Sequence, residues 1–381
     1  MPNTNSPQSD KIFLPNYQQE MLLKAALWNG PESIEAWHIW KDSVEDQPID
    51  AGSENLLPLL FHNLKSQEVV DSQMDNLKGY LYSTWSNNQI LIRSALPVVS
   101  GLQKAGLPVM LLKGAALAAQ YYKHLGLRPM ADLDILIPLD AAREAFQVMK
   151  KLGWTPAKWL YQGFYRSYFL VKHGFEFQNE SCQTIDLHWH VLDECLDQRS
   201  DEDFWKKATP IQWCGLTVQC LDPADQLLHI CVHGANWNPT PPIRWVTDAM
   251  IVIRSEKHTI DWQRLLDQTT KRNLTPQLVD TIQYLTLKLH APIPNDFVRA
   301  LSQQTISSSS RLYHQIRISP PKNPESLWRI MRQRVRFARL TDGMRIQKKT
   351  AMAFHFIILG LLEMVRDVLI PRFANRMRRT Q

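Results

Sequence analysis

The run Asp132-Leu133-Asp134-Ile135-Leu136-Ile137, stopped by Pro138, constrains this chain more than any other stretch. A short apolar run ended by proline reads as a buried strand, and side chains two apart on a strand share a face. Asp132 and Asp134 therefore project together while Leu133 and Ile135 turn to the opposite side. Two such carboxylates repel each other and lose hydration on burial, an arrangement that fold stability does not favour. A cation compensates both. Oxygen ligands at this spacing suit Mg²⁺, or Mn²⁺ in its place.

A third carboxylate stands in a second β-leaning run, residues 184–190, where Ile185, Leu187 and Trp189 alternate with Asp186, His188 and His190. Period two places the apolar set on the core and Asp186 with the two histidines on the other face. If this strand lies beside the first, three carboxylates converge. Two ions ~3.5–4 Å apart would then stabilise the attacking and leaving oxygens of an in-line phosphoryl displacement. His188 is assigned to orienting Asp186.

The surrounding sequence alternates as an α/β unit does. Residues 109–112 read as a strand, 115–124 as an alanine-rich helix, 141–152 as a helix closed by Gly153, and 174–178 as a strand joined to 184–190 by the polar loop 179–182. Residues 216–221 read as a last strand. At the first strand-to-helix turn Gly114 lets an anion approach the first helical N–H groups. Lys113 beside it is read either as a point charge for a phosphate or as a surface lysine. Arg128 has two readings as well, a phosphate contact or a partner for Asp132.

Helical periodicity dominates on both sides, which divides the chain into a disordered start (1–14), a helical region (15–104), the α/β core (105–221), a helical domain (222–305), a linker (306–327) and basic amphipathic helices (328–381). The net charge of +6 belongs to the last of these. Residues 328–381 carry thirteen Lys/Arg against three Asp/Glu, so this end contributes +10 and the remainder −4. An anionic partner, such as a membrane surface, is therefore an expectation for the tail alone, against the alternative that it packs on the body. No nucleic-acid module is recognisable there. Five cysteines without a CxxC pair and the polar start MPNTNSPQSDK point to a cytoplasmic protein, membrane-peripheral if the tail binds lipid.

The order LLKG, a helix, LRPMADLDILIP and then IDLHWH resembles a family of uncharacterised bacterial nucleotidyltransferases within the DNA polymerase beta-type superfamily. The resemblance is strong over residues 107–190. It extends more loosely to Leu227-Leu228-His229 and Trp245-Val246-Thr247-Asp248, and to Leu56-Leu57-Pro58-Leu59-Leu60. It implies an α+β fold with a mixed sheet flanked by helical regions, and transfer of a nucleoside monophosphate from an NTP, ATP by default, to a hydroxyl acceptor. It implies further that Asp132, Asp134 and Asp186 bind the metal, Mg²⁺ or Mn²⁺, and that Asp186 activates the acceptor; Lys113, Gly114 and Arg128 are the candidates for the nucleotide from the turn itself. His233, Trp245 and Asp248 are candidates for the acceptor pocket. The chain departs from the superfamily at Gly114-Ala115, where many members carry Gly-Ser, which leaves a catalytically silent binding module as the alternative. A zinc hydrolase built on the pairs His188/His190 and His229/His233 is a third reading, and it lacks the glutamate of an HExxH motif.

Overall fold

The computed structural model describes residues 13–157, 169–321 and 325–340, with side chains from 331 in the last segment, and positions 353, 354 and 357. The expected disordered start and most of the basic end lie outside these residues. The chain divides into two compact units, residues 1–92 with 113–131 and 221–332, and residues 93–112 with 132–220 and 333–381.

The second unit holds the sheet. Among the described residues its strands are β1 (Met110–Leu111), β2 (Asp132–Leu136), β3 (Thr155–Pro156), β4 (Gly174–Gln178), β5 (Thr184–His188), β6 (Thr209–Trp213) and β7 (Leu216–Cys220), in the order β3-β4-β5-β2-β1-β7-β6. β2 runs parallel to β5 and β1 parallel to β7, whereas β1–β2, β3–β4, β4–β5 and β6–β7 are antiparallel. The sheet is thus mixed, as the α+β expectation requires. A parallel pair needs a crossover. Here the chain leaves β2, forms the helix Ala142–Lys151 and returns through β3 and β4 to β5.

That helix explains how the crossover seats. Ala142, Ala145, Phe146 and Met149 recur at helical spacing and are its buried residues. The Phe146 ring meets Phe177 at 4.9 Å, Phe169 at 5.4 Å and Phe175 at 5.6 Å between centroids. Leu133, Ile135, Ile185 and Leu187, the inward set of the two central strands, are fully buried. The period-two reading of both strands holds for their apolar faces.

Two elements depart from the expected pattern. β6 is an additional strand, joined to β7 through Cys214 and Gly215 at φ 49° and 82°. A two-residue turn with both residues left-handed matches the twist of a hairpin. Pro210, which reads as a strand breaker, is tolerated because β6 is an edge strand. The serine run expected as a linker instead starts the helix Ser308–Arg317, with the Ser307 side chain capping Ser310 N–H.

In the helical unit, segments far apart in sequence interlock. Asn16 and Gln19 form a capping box at the start of the helix Tyr17–Leu27. The Gln19 amide also donates to Asp50 Oδ1 at 3.1 Å and to the Pro241 carbonyl at 3.4 Å. Gly52 passes so close that a Cβ there would lie 2.6 Å from the same carbonyl. Arg254 Nη1 donates to the Leu27 carbonyl at 2.6 Å.

The described part of the basic end docks within the sheet unit. Arg336 Nη2 donates to the Val171 carbonyl at 3.1 Å and to Asp193, and buried Arg339 donates to the Glu194 carbonyl at 2.6 Å. These two arginines serve packing, the second of the readings offered for the tail. No described helix is long and apolar enough to cross a membrane. Replacing Phe146 with Ala should lower unfolding free energy by about 3–5 kcal/mol, since it empties the centre of the aromatic cluster under the sheet. Urea unfolding followed by tryptophan fluorescence measures it, and a loss below about 1 kcal/mol would mean that the helix does not seat the crossover.

Candidate metal centre

Register brings the carboxylates together. In the β2–β5 pair Asp132 lies opposite Thr184, Asp134 opposite Asp186 and Leu136 opposite His188. Neighbouring strands are ~4.8 Å apart, and directly paired residues put their side chains on the same face. Asp134 is 2% exposed and Asp186 partly exposed. One ligand atom from each of Asp134, Asp186 and His188 lies within 4.8 Å of the other two. Among the described residues this is the group of three His, Cys, Asp or Glu with the compactness a metal ion requires. Asp132, two positions earlier on β2 and partly exposed, is not one of the three.

The His188 Nε2 stands 2.9 Å from Asp134 Oδ1, the carboxylate on the neighbouring strand. The ring is buried, and glycine across the β4–β5 pair makes room for it: a Cβ on Gly174 would lie 2.8 Å from His188 Nδ1. The His173 ring packs beside it at 5.1 Å and 33°. His173 Nδ1 is in turn 3.0 Å from Asp193 Oδ1, the carboxylate that receives Arg336. His190 does not share the site. β5 ends at His188, the alternation lapses, and buried His190 turns its Nδ1 to Asp201 Oδ2 at 2.6 Å.

The residues expected to face the nucleotide fall in the helical unit. Lys113 follows Leu112, whose N–H donates to the Asp134 carbonyl at 3.1 Å. It opens the helix Lys113–Gln120 at φ 41°, a left-handed conformation that a non-glycine residue seldom adopts. Gly114 has a packing reason for lacking a side chain. A Cβ would lie 2.6 Å from Arg128 Nη1 and 2.9 Å from Met130 Cγ.

Arg128 has a partner in the helical unit that neither sequence reading named. Buried, it gives Nε and Nη2 to the two oxygens of Asp248, each at 2.8 Å, in a fork geometry specific to guanidinium and carboxylate. Tyr122 donates to the same carboxylate at 2.7 Å. Burial, with the Asp248 charge behind it, pushes the Tyr122 phenol well above its ordinary range, so it remains a donor. Asn88 holds the loop by donating to the Leu125 and Arg128 carbonyls and accepting from Met130 N–H. Asp248, expected in an acceptor pocket, is therefore the counter-charge of Arg128. Trp245, expected beside it, is a buried ring so close to Gly234 that a Cβ there would lie 2.3 Å from Trp245 Cγ. His233 and His229 stand 6.3 Å apart between ring centroids, outside the group of three ligands. Tyr122, Asn88, His173 and Gly174 are participants that sequence reasoning missed. Of these only Gly174, at the head of a β-run, carried a local signal.

Residues 51–289 match the model of a family described as uncharacterised nucleotidyltransferase. No curated protein matches the chain. Among solved structures, the antibiotic-resistance factor ANT(2'')-Ia is similar at 12% identity and a TM-score of 0.33, over 53% of this chain and 97% of that one. An antigenic nucleotidyltransferase-like protein from Paracoccidioides brasiliensis is similar at 14% identity and a TM-score of 0.34, over 57% and 95%.

The Arg128–Asp248 pair yields a stability test. Asp248→Ala leaves a buried guanidinium charge without its fork and should cost about 3–5 kcal/mol. The double variant with Arg128→Met should cost clearly less than the two single losses added together. Additive losses in a urea-unfolding cycle would show that the two side chains are not energetically coupled.

Proposed function

Because the chain belongs to the uncharacterised nucleotidyltransferase family, we propose that it moves a nucleoside monophosphate from an NTP to a hydroxyl acceptor with the help of a divalent metal ion. The observation that carries this reading is the parallel register that sets buried Asp134 against Asp186. A buried carboxylate beside a second one is costly unless a cation or proton compensates it, and the ligand set Asp134, Asp186 and His188 fits an ion. When bound, a divalent ion screens triphosphate charge and stabilises the developing pyrophosphate.

The remaining roles belong to the chain's own residues. Asp134 and Asp186 hold the ion. Asp132, at the mouth of β2, is the proposed carboxylate for a second ion. Asp186, more exposed than Asp134, takes the proton of the acceptor hydroxyl as that oxygen attacks the α-phosphorus. Lys113 and the N–H groups at the start of its helix receive the triphosphate. Ala115 offers no hydroxyl at this turn, so the lysine is the side chain left to meet phosphate charge. Arg128 holds the turn rather than the nucleotide, through its fork on Asp248 and its contact with Gly114. Burial pushes the thiols of Cys220 and Cys231 up to about 12.

The direct test incubates the full chain and Mg²⁺ with each NTP labelled at the α-phosphate, with and without a cell extract as acceptor source. Label should pass to an acceptor with release of pyrophosphate. Asp134→Asn and Asp186→Asn should each abolish transfer while the protein stays folded by circular dichroism. Turnover in either variant equal to wild type would sink the metal assignment. NTP binding without transfer under every condition would instead favour a silent binding module, the reading that Gly114-Ala115 keeps open.

Lys113→Met separates charge from stem packing. Its NTP affinity, measured by calorimetry with Mg²⁺ present, should fall by about 1.5–3 kcal/mol, the worth of a hydrogen bond to a charged group. Unchanged affinity would leave the backbone amides as the phosphate cradle.

A further inference from the structure

His188 is the member of the site that transfer by carboxylates alone does not require, and two independent features aim it at the ion. The first is spacing. Nε2 lies 2.9 Å from Asp134 Oδ1, within the compact group that includes Asp186. Neighbouring ligands of a six-coordinate ion with bonds of ~2.1 Å are about 3 Å apart. The separation seen as a hydrogen bond is therefore also that of two adjacent positions on one ion. The second is the seat of the ring. Gly174 leaves open the volume beside Nδ1 that any other residue would fill, and His173, held by Asp193, packs against the ring at 5.1 Å. The imidazole is thus held with Nε2 on Asp134, and the ring belongs to the compact group that includes Asp186.

We propose that His188 Nε2 is itself a ligand of the ion, completing an Asp134–Asp186–His188 set, and that this nitrogen makes the site select a transition-metal ion of the Mn²⁺ class over Mg²⁺. The proposal rests on the reading of Asp134 and Asp186 as ion-binding carboxylates. Carboxylate oxygens accept Mg²⁺ and Mn²⁺ alike, whereas imidazole nitrogen suits first-row transition ions better than hard Mg²⁺. A site of two carboxylates and one imidazole therefore differs in selectivity from one of three carboxylates.

The test uses the full chain with Mn²⁺ alone as probe and no nucleotide. Electron spin echo spectroscopy of bound Mn²⁺ should show modulation from a directly coordinated imidazole nitrogen, and this should vanish in His188→Gln. Competition should show Mg²⁺ displacing Mn²⁺ at about tenfold lower concentration from the glutamine variant than from wild type, the scale on which one supporting group moves metal affinity. Glutamine keeps a donor for Asp134. A residue that only oriented that carboxylate would thus leave the Mn²⁺-to-Mg²⁺ ratio unchanged, and that result overturns the proposal. So does bound Mn²⁺ without nitrogen modulation in wild type, a measurement that needs no variant to fold. Nitrogen-free binding removes His188 alone and leaves the carboxylate reading standing. Mn²⁺ that fails to bind at all removes both.

Discussion

The pairing of β2 with β5 is the constraint from which the chemistry of this chain follows. Parallel strands cannot be joined by a tight turn, so the chain must leave β2, cross over through a helix and return. Phe146 holds that helix on the sheet through its contacts with Phe175 and Phe177. The same rings lie under the strands whose outward residues are acidic. A slip of one residue in this pair would exchange inward for outward faces on β5 and replace Asp186 with Ile185 or Leu187 beside Asp134. The apolar faces therefore enforce the acidic one. Burial of Leu133, Ile135, Ile185 and Leu187 holds two carboxylates in a juxtaposition that their own electrostatics oppose.

A different logic governs the turn that carries Lys113. Its lysine sits at φ 41°. The support comes from Arg128, Met130 and Asn88, with the Asp248 carboxylate beneath them and Tyr122 donating to it. A buried ion pair contributes little net stability compared with an apolar substitute, but its fork geometry permits few alternatives. Its value at this place is definition of position.

Much of this was legible because it is written in local periodicity. The apolar alternation of β2 and β5 and the glycine ahead of the alanine-rich helix each depend on neighbours a few residues away. What escaped depends on partners. His188 meets Asp134 because the adjacent strand brings that carboxylate to it. Arg128 found a counter-charge 120 residues downstream, at a distance no motif spans. β6 is an edge strand that pairs on one side only and tolerates Pro210, and the Ser307 cap stands in the stretch expected as linker.

The helical unit is assembled from pieces that the ribosome delivers at different times. The helix Tyr17–Leu27 meets Pro241 through Gln19 and Arg254 through Leu27. Synthesis at about 5–20 residues per second puts the making of the early partners and the late ones roughly ten seconds or more apart. During that interval Leu22, Leu23 and Ala26, buried in the finished unit, have been made while much of the unit that buries them has not. The sheet unit has its own delay, since the carbonyls of Val171 and Glu194 are met by Arg336 and Arg339, 165 and 145 residues downstream. Over that interval the nascent chain carries apolar surface, a demand on chaperones that neither unit would make if its segments were contiguous.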